Sequence, residues 1–196
     1  AVLISKLLSG TQASAQAAVD MMEGYPIEIV DSESAAMGLG YMALAAARAA
    51  ENGADYKEAA AAARALVKKM RVLFVVDTLE FLHRGGRIGG AKRLIGSMLS
   101  IKPILHLLDG KIEPLASVRT KKKALAHLME VAETEMTGKE NVKAAVIHAA
   151  AADEAKDIYA ELKQKLNPDE IHIVELSPVV GAHVGPKALG VVFFDN

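Results

Sequence analysis

The stretch IKPILHLLDGKIEPLASV, residues 101–118, decides how the second half of the chain folds. Asp109-Gly110 lies between two apolar runs, and this dipeptide favours the tight turn that joins two antiparallel strands. We therefore predict a hairpin formed by strands at 101–107 and 112–118. Pro103 has no backbone N–H to donate to a neighbouring strand. The first strand is therefore either an edge strand or one that begins at this proline.

Helices and strands alternate on both sides of the predicted hairpin. Before it, the pattern predicts a buried strand at 72–76, a capped helical turn at 77–82 and a helix at 92–99. After it, the pattern predicts helices at 120–136 and 154–166, strands at 142–148, 171–176 and 189–194, and an irregular loop at 178–186. Such alternation is typical of an α/β fold.

Residues 1–70 show the same alternation on a smaller scale. The pattern predicts strands at 2–4 and 27–30 and helices at 12–23, 36–51 and 56–69. Strands separated by helices favour parallel pairing, and Asp55 is a suitable N-cap for the third helix. The pattern changes near Met70-Arg71. We therefore expect two α/β domains, the remainder of an N-terminal parallel-sheet domain at 1–70 and a C-terminal domain at 71–196.

Composition excludes several kinds of protein. The chain has 196 residues, 52% of them hydrophobic, and no cysteine. The lack of cysteine excludes disulfides, cysteine zinc sites, iron–sulfur clusters and thiol nucleophiles. No apolar run approaches the roughly 18–20 residues that span a bilayer.

Charge is distributed unevenly along the chain. The formal net charge is −1, so we expect no nucleic-acid binding, yet residues 71–123 contain 11 basic and 4 acidic residues and carry +7. A field of this sign steers anionic partners. Alternatively, the basic residues of this segment form a solvated face that keeps the protein soluble.

Ser9-Gly10-Thr11 lies where a strand ends and a helix begins. Backbone N–H groups and the helix dipole favour an anion at this position, and the two hydroxyl groups are additional donors. Alternatively, Ser9 or Thr11 simply caps the helix and binds no ligand.

A glycine-rich loop, Gly85–Gly90, contains Arg87. It matches neither the dinucleotide-binding nor the P-loop spacing. One interpretation is that Arg87 holds a phosphate or a carboxylate. The other is that the loop merely connects a strand to a helix and that Arg87 is solvated. Further along, Arg119 and Lys121–Lys123 surround a predicted helix start, where cations are unfavourable. We therefore expect these charges to serve either a protein or membrane contact or a bound small anion.

His183 lies in the Gly/Pro-rich segment Gly181–Pro186. A histidine in such a loop is ordinarily a polar surface residue. The other histidines are scattered without the spacing of metal ligands, so we expect no metal site. A Ser-His-Asp triad lacks the nucleophile-elbow motif that would support it.

Taken in order, several segments resemble the DegV family of bacterial fatty-acid-binding proteins. They are Leu8-Ser9-Gly10-Thr11 with Ser14-Ala15, Val30-Asp31-Ser32, Leu79-Glu80-Phe81-Leu82, Gly85-Gly86-Arg87-Ile88, Ile101-Lys102-Pro103-Ile104, Asp109-Gly110, Val118-Arg119-Thr120 and Gly181-Ala182-His183-Val184-Gly185-Pro186. The resemblance covers essentially the whole chain. It implies two α/β domains with a ligand tunnel between them that holds a long-chain fatty acid.

The resemblance also implies roles for particular residues. Ser9 and His183 resemble the serine and histidine that bind the fatty-acid carboxylate. Arg87 and Arg119 resemble residues that contact a partner kinase or its phosphate. The expected protein is thus a bacterial, cytoplasmic carrier and not an enzyme. It needs no cofactor, presents its fatty acid to a kinase for acyl-phosphate formation, and contacts membranes transiently.

One departure from the family concerns the N-terminal side. Family members usually begin earlier, with a Thr-Ser-x-Pro-like segment whose threonine also contacts the carboxylate, and this sequence has no such segment. The first domain is therefore expected to be incomplete, either because the chain is a fragment or because it is a shortened relative. Two other hypotheses stay open: an enzyme or binding module for a phosphorylated small molecule at Gly85–Gly90 with Arg87, and a module that docks an acidic partner.

Overall fold

The computed structural model describes residues 1–22, 24–97 and 101–195. The chain forms two compact units. The first contains Ala1–Met70 and the short segment Asp109–Lys111, and the second contains Arg71–Leu108 and Ile112–Asn196. Both contain helices and strands, which confirms the predicted α/β class. No helix in the described part of the chain is long and apolar enough to cross a membrane.

The first unit has a two-stranded sheet and three helices. Its elements are β1 (Val2–Leu3), α1 (Thr11–Asp20), β2 (Val30–Asp31), α2 (Ala36–Glu51) and α3 (Tyr56–Ala65). β1 and β2 pair in parallel, with Val2 opposite Val30. This pairing and the bounds of α2 confirm the predictions.

The helix predicted at 56–69 is correct at its start and wrong at its end. The Asp55 side chain accepts from the backbone N–H groups of Lys57 and Glu58, and Glu58 Oε2 accepts from the Asp55 N–H at 2.9 Å, which completes a capping box. After Ala65 the chain continues in tighter turns, such as the Val67 N–H to Arg64 carbonyl bond of 3.1 Å. The helix predicted at 12–23 likewise ends earlier, at Asp20, and Glu23 lies outside the described residues.

Helices α2 and α3 pack together in the first unit. Ala60 and Ala63 of α3 are buried, as are Tyr41 and Met42 of α2. The small alanine side chains allow two helices to approach closely, while Tyr41 and Met42 supply bulk. By contrast, no residue of α1 is buried.

The second unit is built on a six-stranded sheet in the order β5-β4-β3-β8-β6-β7. Its elements are β3 (Arg71–Val75), α4 (Glu80–Arg84), a 3-10 helix (Gly89–Ser97), β4 (Lys102–Leu108), β5 (Lys111–Val118), α5 (Lys121–Met136), β6 (Val142–His148), α6 (Ala152–Leu166), β7 (Glu170–Glu175), α7 (Pro178–Val184) and β8 (Leu189–Asp195). β6 and β7 are parallel and are connected through α6. β3 pairs antiparallel with β4 and with β8, and β8 pairs antiparallel with β6.

The core of the second unit lies between this sheet and helices α5 and α6. Ala124, Leu128, Ala132 and Met136 repeat every four residues and therefore form one face of α5, and all four are buried. β8 is buried from Leu189 to Phe194, because a central strand contributes side chains to both faces of the sheet.

Several connections in the second unit differ from the predictions. The irregular loop predicted at 178–186 is wrong, because residues 178–184 form α7. Ser177 caps this helix, Pro178 is at its first position and Gly185 follows its end with φ of 78°, a combination typical of helix boundaries. In place of the helix predicted at 92–99 the structure has the 3-10 helix Gly89–Ser97, and Leu99 lies outside the described residues.

One edge of the sheet gathers the connections that carry the candidate residues. Val75 pairs with Ile104 and with Leu189, and His148 pairs with Leu189 and with Glu175. β3, β6 and β7 therefore end where β4 and β8 begin, and β5, the partner of β4 in the hairpin, ends there too. We call this the carboxyl edge. α4 and α7 follow strands that end at it.

Candidate functional site

His183 lies in the last turn of α7 and packs against the backbone of Gly85, the residue that ends α4. A Cβ atom added to Gly85 would overlap His183 Nδ1 and would lie 2.8 Å from Cε1. Only glycine therefore allows the imidazole ring to occupy this position. Among the described residues, His183 Nδ1 is buried and has no hydrogen-bond partner.

A second glycine–ring contact joins the same two helices. The Phe81 ring of α4 lies against Gly185, where an added Cβ would overlap Cδ2 of the ring and lie 2.8 Å from Cε2. Gly185 also has a φ of 78°, which L side chains rarely adopt. α4 and α7 thus interlock, because each supplies a ring that packs on a glycine at the end of the other.

Arg87 reaches the same glycine from its carbonyl side. Arg87 Nη1 donates to the Gly85 carbonyl oxygen at 2.7 Å. Gly86 has a φ of 70°, the Gly86 N–H donates to the His83 carbonyl and the Arg87 N–H donates to the Leu82 carbonyl. This arrangement is a Schellman motif, which ends α4 and turns the chain so that Arg87 folds back.

The other two glycines of the loop approach β5 closely. A Cβ on Gly89 would overlap the Ile112 carbonyl oxygen, and one on Gly90 would overlap the Glu113 carboxylate. Packing and turn formation therefore account for Gly85, Gly86 and Gly89 without a phosphate ligand, whereas the neighbour of Gly90 is the flexible end of a glutamate side chain that can move aside.

Arg119 connects β5 to α5 and is exposed at the carboxyl edge. The α5 start that follows it is capped by Thr120, whose hydroxyl oxygen accepts from the Lys123 N–H at 3.2 Å. Lys121 forms an ion pair of 2.8 Å with Glu154 in the first turn of α6. This carboxylate offsets the unfavourable cation at the α5 N-terminus.

Ser9 belongs to the first unit, just before α1. Its hydroxyl oxygen lies 2.7 Å from that of Thr11 and accepts from the Thr11 N–H at 3.3 Å. The N-cap residue of α1 is Gly10, which has no side chain with which to cap the helix. Ser9 is half-buried, so the pair of hydroxyl groups is partly open to a ligand at the α1 N-terminus.

Comparison with known proteins assigns this chain to a family. The model of the DegV family matches residues 1–196. The chain belongs to the DegV family. A DegV domain-containing protein of Clostridium perfringens is 41% identical over an alignment of 197 residues, which covers 98% of this chain and 69% of that protein.

Solved DegV structures share the fold of this chain. A Thermus thermophilus DegV-family protein described as binding fatty acid matches with a TM-score of 0.88 and 33% identity, covering 98% of this chain and 69% of the other. Bacillus subtilis DegV, described as a fatty acid binding protein, matches with a TM-score of 0.87 and 35% identity over the same shares of the two chains.

In this DegV-family chain, an open depression of about 600 Å³ adjoins α7 at the carboxyl edge. Its lining comes from the β6–α6 and β7–α7 connections and from α7 and the residues that follow it: Ala149, Ala150, Glu175, Leu176, Ser177, Pro178, Gly181, Gly185 and Pro186. Most of these side chains are small, and the two glycines have none.

The structure thus places the four candidate residues in two groups. His183 and Arg87 meet at Gly85, Arg119 lies at the same sheet edge, and Ser9 lies in the first unit. Sequence reasoning missed Gly85 and Phe81 as partners of α7. The adjacent glycines after α4 signalled a special turn, but nothing local to residues 81–85 indicates contact with residues 183–185.

Proposed function

We propose that this DegV-family chain binds a long-chain fatty acid and carries it without transforming it. The observation that supports this most strongly is its likeness, over nearly its whole length, to the fatty-acid-binding DegV structures from Thermus thermophilus and Bacillus subtilis. Because both TM-scores are close to 0.9, the likeness concerns the arrangement of the elements and not merely their class.

The proposed head-group ligands are Ser9 and His183. A carboxylate that leaves water requires hydrogen-bond donors in compensation. The Ser9 hydroxyl lies at the α1 N-terminus, where the helix dipole also favours negative charge. His183 contributes a ring N–H from a side chain held in place by the contacts between α4 and α7.

The acyl tail is proposed to supply most of the affinity. Burial is worth about 0.8 kcal/mol per CH₂, so a tail of roughly 16 carbons contributes on the order of 10 kcal/mol before the costs of binding. The head group then determines the orientation of the ligand more than its affinity.

The proposed partner is a kinase that phosphorylates the bound fatty acid, with Arg87 and Arg119 as its contacts. Both guanidinium-bearing residues are exposed in the second unit. A guanidinium group recognises phosphate or carboxylate with paired N–H donors, so these residues suit an acidic surface or a phosphate on the partner.

The first test is mass spectrometry of an organic extract of the purified chain. We expect one long-chain fatty acid per chain, and its mass gives the acyl length. An empty extract from folded protein that also fails to take up added palmitate would contradict the carrier function.

The second test removes the two proposed carboxylate donors. Ser9→Ala and His183→Ala are each expected to weaken palmitate retention by about 10- to 100-fold, the effect of losing a hydrogen bond to a charged group. Ser14→Ala, elsewhere on α1, and His127→Ala, half-buried on α5, are matched controls that should retain palmitate normally. Unchanged retention in both test variants would exclude these residues as ligands.

A further inference from the structure

The contact between His183 and Gly85 restricts the tautomer of the neutral imidazole as well as the position of the ring. Nδ1 faces the Gly85 backbone, where an added Cβ would overlap it, and it has no hydrogen-bond partner in the described part of the chain. Nε2 is not among the buried ring nitrogens without a partner. The two nitrogens of one ring therefore have different surroundings.

A neutral imidazole carries a single proton, on one nitrogen or the other. A proton on Nδ1 would be a buried donor without an acceptor, which costs the desolvation of that N–H. A lone pair on Nδ1 faces the Gly85 Cα–H instead, and such C–H groups form weak but favourable contacts with acceptors. The surroundings therefore favour the tautomer with the proton on Nε2.

We infer that Gly85 is a positioning residue for His183. Because it lacks a side chain, it admits the ring, disfavours the neutral tautomer with its proton on Nδ1 and makes Nε2–H the group that donates to the ligand. Arg87 supports this arrangement, since its guanidinium group holds the carbonyl of the same glycine at 2.7 Å. The identity of the acceptor as a fatty-acid carboxylate rests on the proposed function, whereas the tautomer does not.

The chain offers a matched pair of glycines to test this role. Gly85 has a φ of −74°, which alanine adopts without strain, so a Gly85→Ala substitution disturbs mainly the ring of His183. Gly181, in the same helix as His183, has open space where a Cβ would be added. Gly181→Ala therefore changes α7 without touching the ring.

The measurement is the ¹⁵N spectrum of the imidazole groups in the full chain, recorded with and without added palmitate. In the unchanged chain and in Gly181→Ala we expect the His183 signature of a proton on Nε2. In Gly85→Ala we expect that signature to be lost or mixed, and palmitate retention to fall by about 10- to 100-fold, as for loss of the ligand hydrogen bond itself.

Each outcome decides the inference. A neutral His183 ring with its proton on Nδ1 in the unchanged chain would overturn the inference. This readout needs no variant, so the test remains decisive even if Gly85→Ala does not fold. Equal spectra and equal retention in the two glycine variants would overturn it as well. If the unchanged chain bound no fatty acid but Gly85→Ala alone altered the tautomer, the positioning role would stand and the proposed ligand would be wrong.

Discussion

The two compact units are stabilised by different kinds of contact. In the second unit, α5 and α6 bury a continuous apolar cluster against a six-stranded sheet. In the first unit each strand has only two residues and no residue of α1 is buried. Polar contacts are prominent there: Ser5 Oγ donates to the Gly110 carbonyl at 2.7 Å, and Lys68 Nζ bridges the carboxylates of Glu33 and Asp109 at 2.7 and 3.0 Å.

This difference bears on the proposed site. His183 is on a helix interlocked with its neighbour, so changes around it alter packing as well as ligand contact. Ser9 precedes a helix without buried residues, so its replacement removes a hydroxyl and little else. We therefore expect core substitutions to have their largest effect in the second unit, and changes in caps and turns to matter relatively more in the first.

The largest expected effect is the loss of a core side chain in the second unit. Leu128→Ala, at a fully buried position of α5, should lower the free energy of unfolding by about 3–5 kcal/mol, because it removes buried methyl groups and leaves a cavity. Urea titration measures this loss. Leu7→Ala in the first unit, where the residue is 51% exposed, is the control and should change stability by less than about 0.5 kcal/mol. Equal losses would contradict the assignment of the effect to burial of the Leu128 side chain.

A smaller effect is expected from the α3 cap in the first unit. Asp55→Ala removes the oxygen that accepts from the Lys57 and Glu58 N–H groups at 2.8 and 2.9 Å, and should cost about 1 kcal/mol. Amide hydrogen exchange should report faster opening of α3, with the sheet of the second unit unaffected. Asp55→Ser keeps a capping oxygen and should behave like the unchanged chain. Uniform acceleration across both units would indicate a single cooperative fold.

The smallest effect is a pH dependence of the second unit. Burial, followed by the positive charge of Arg71, lowers the pKa of His106 below its ordinary value of 6.5, while Glu113 and Glu135 act in the opposite direction. The charged form is thus less stable in the folded state than in the unfolded chain. The contribution of neutral His106 to the free energy of unfolding should be fully present above pH 6.5. It should decrease as the pH falls below that value toward the folded-state pKa.

Thermal unfolding measured between pH 5 and 8 checks this sign. His106→Leu should flatten the pH dependence, because its neighbours in β4 are also leucines and the replacement needs no hydrogen bond. If His106→Leu keeps the full dependence of stability on pH, that dependence arises from other titrating groups.

Local signals made much of the fold predictable. The bounds of α2 and of β6 were predicted to the residue, the Asp55 cap is present, and Asp109-Gly110 forms the hairpin turn with positive φ at both residues. α7 was missed because its glycines suggested a loop, although Ser177-Pro178 at its start and Gly185 after its end are ordinary helix signals. Strand order was not predictable, because it depends on contacts between distant residues.

The candidate site was less accessible to sequence reasoning. The sequence marks Arg87 and His183 through two unrelated motifs, and their common partner Gly85 is nearly a hundred positions before His183 in the chain. A glycine that admits a ring from a distant helix resembles, in the sequence, one that merely ends a helix. The roles of Ser9, His183, Arg87 and Arg119 toward a ligand or a partner stay predictions.

The turn at Asp109–Lys111 belongs to the first unit, although the strands on either side of it belong to the second. During synthesis, residues 1–70 leave the ribosome well before this turn exists. Until it emerges, the Ser5 hydroxyl lacks its Gly110 acceptor and Lys68 lacks Asp109. The first unit therefore lacks some of its contacts until residues 109–111 have been synthesised. A chain truncated after Met70 would lack that part of the first unit.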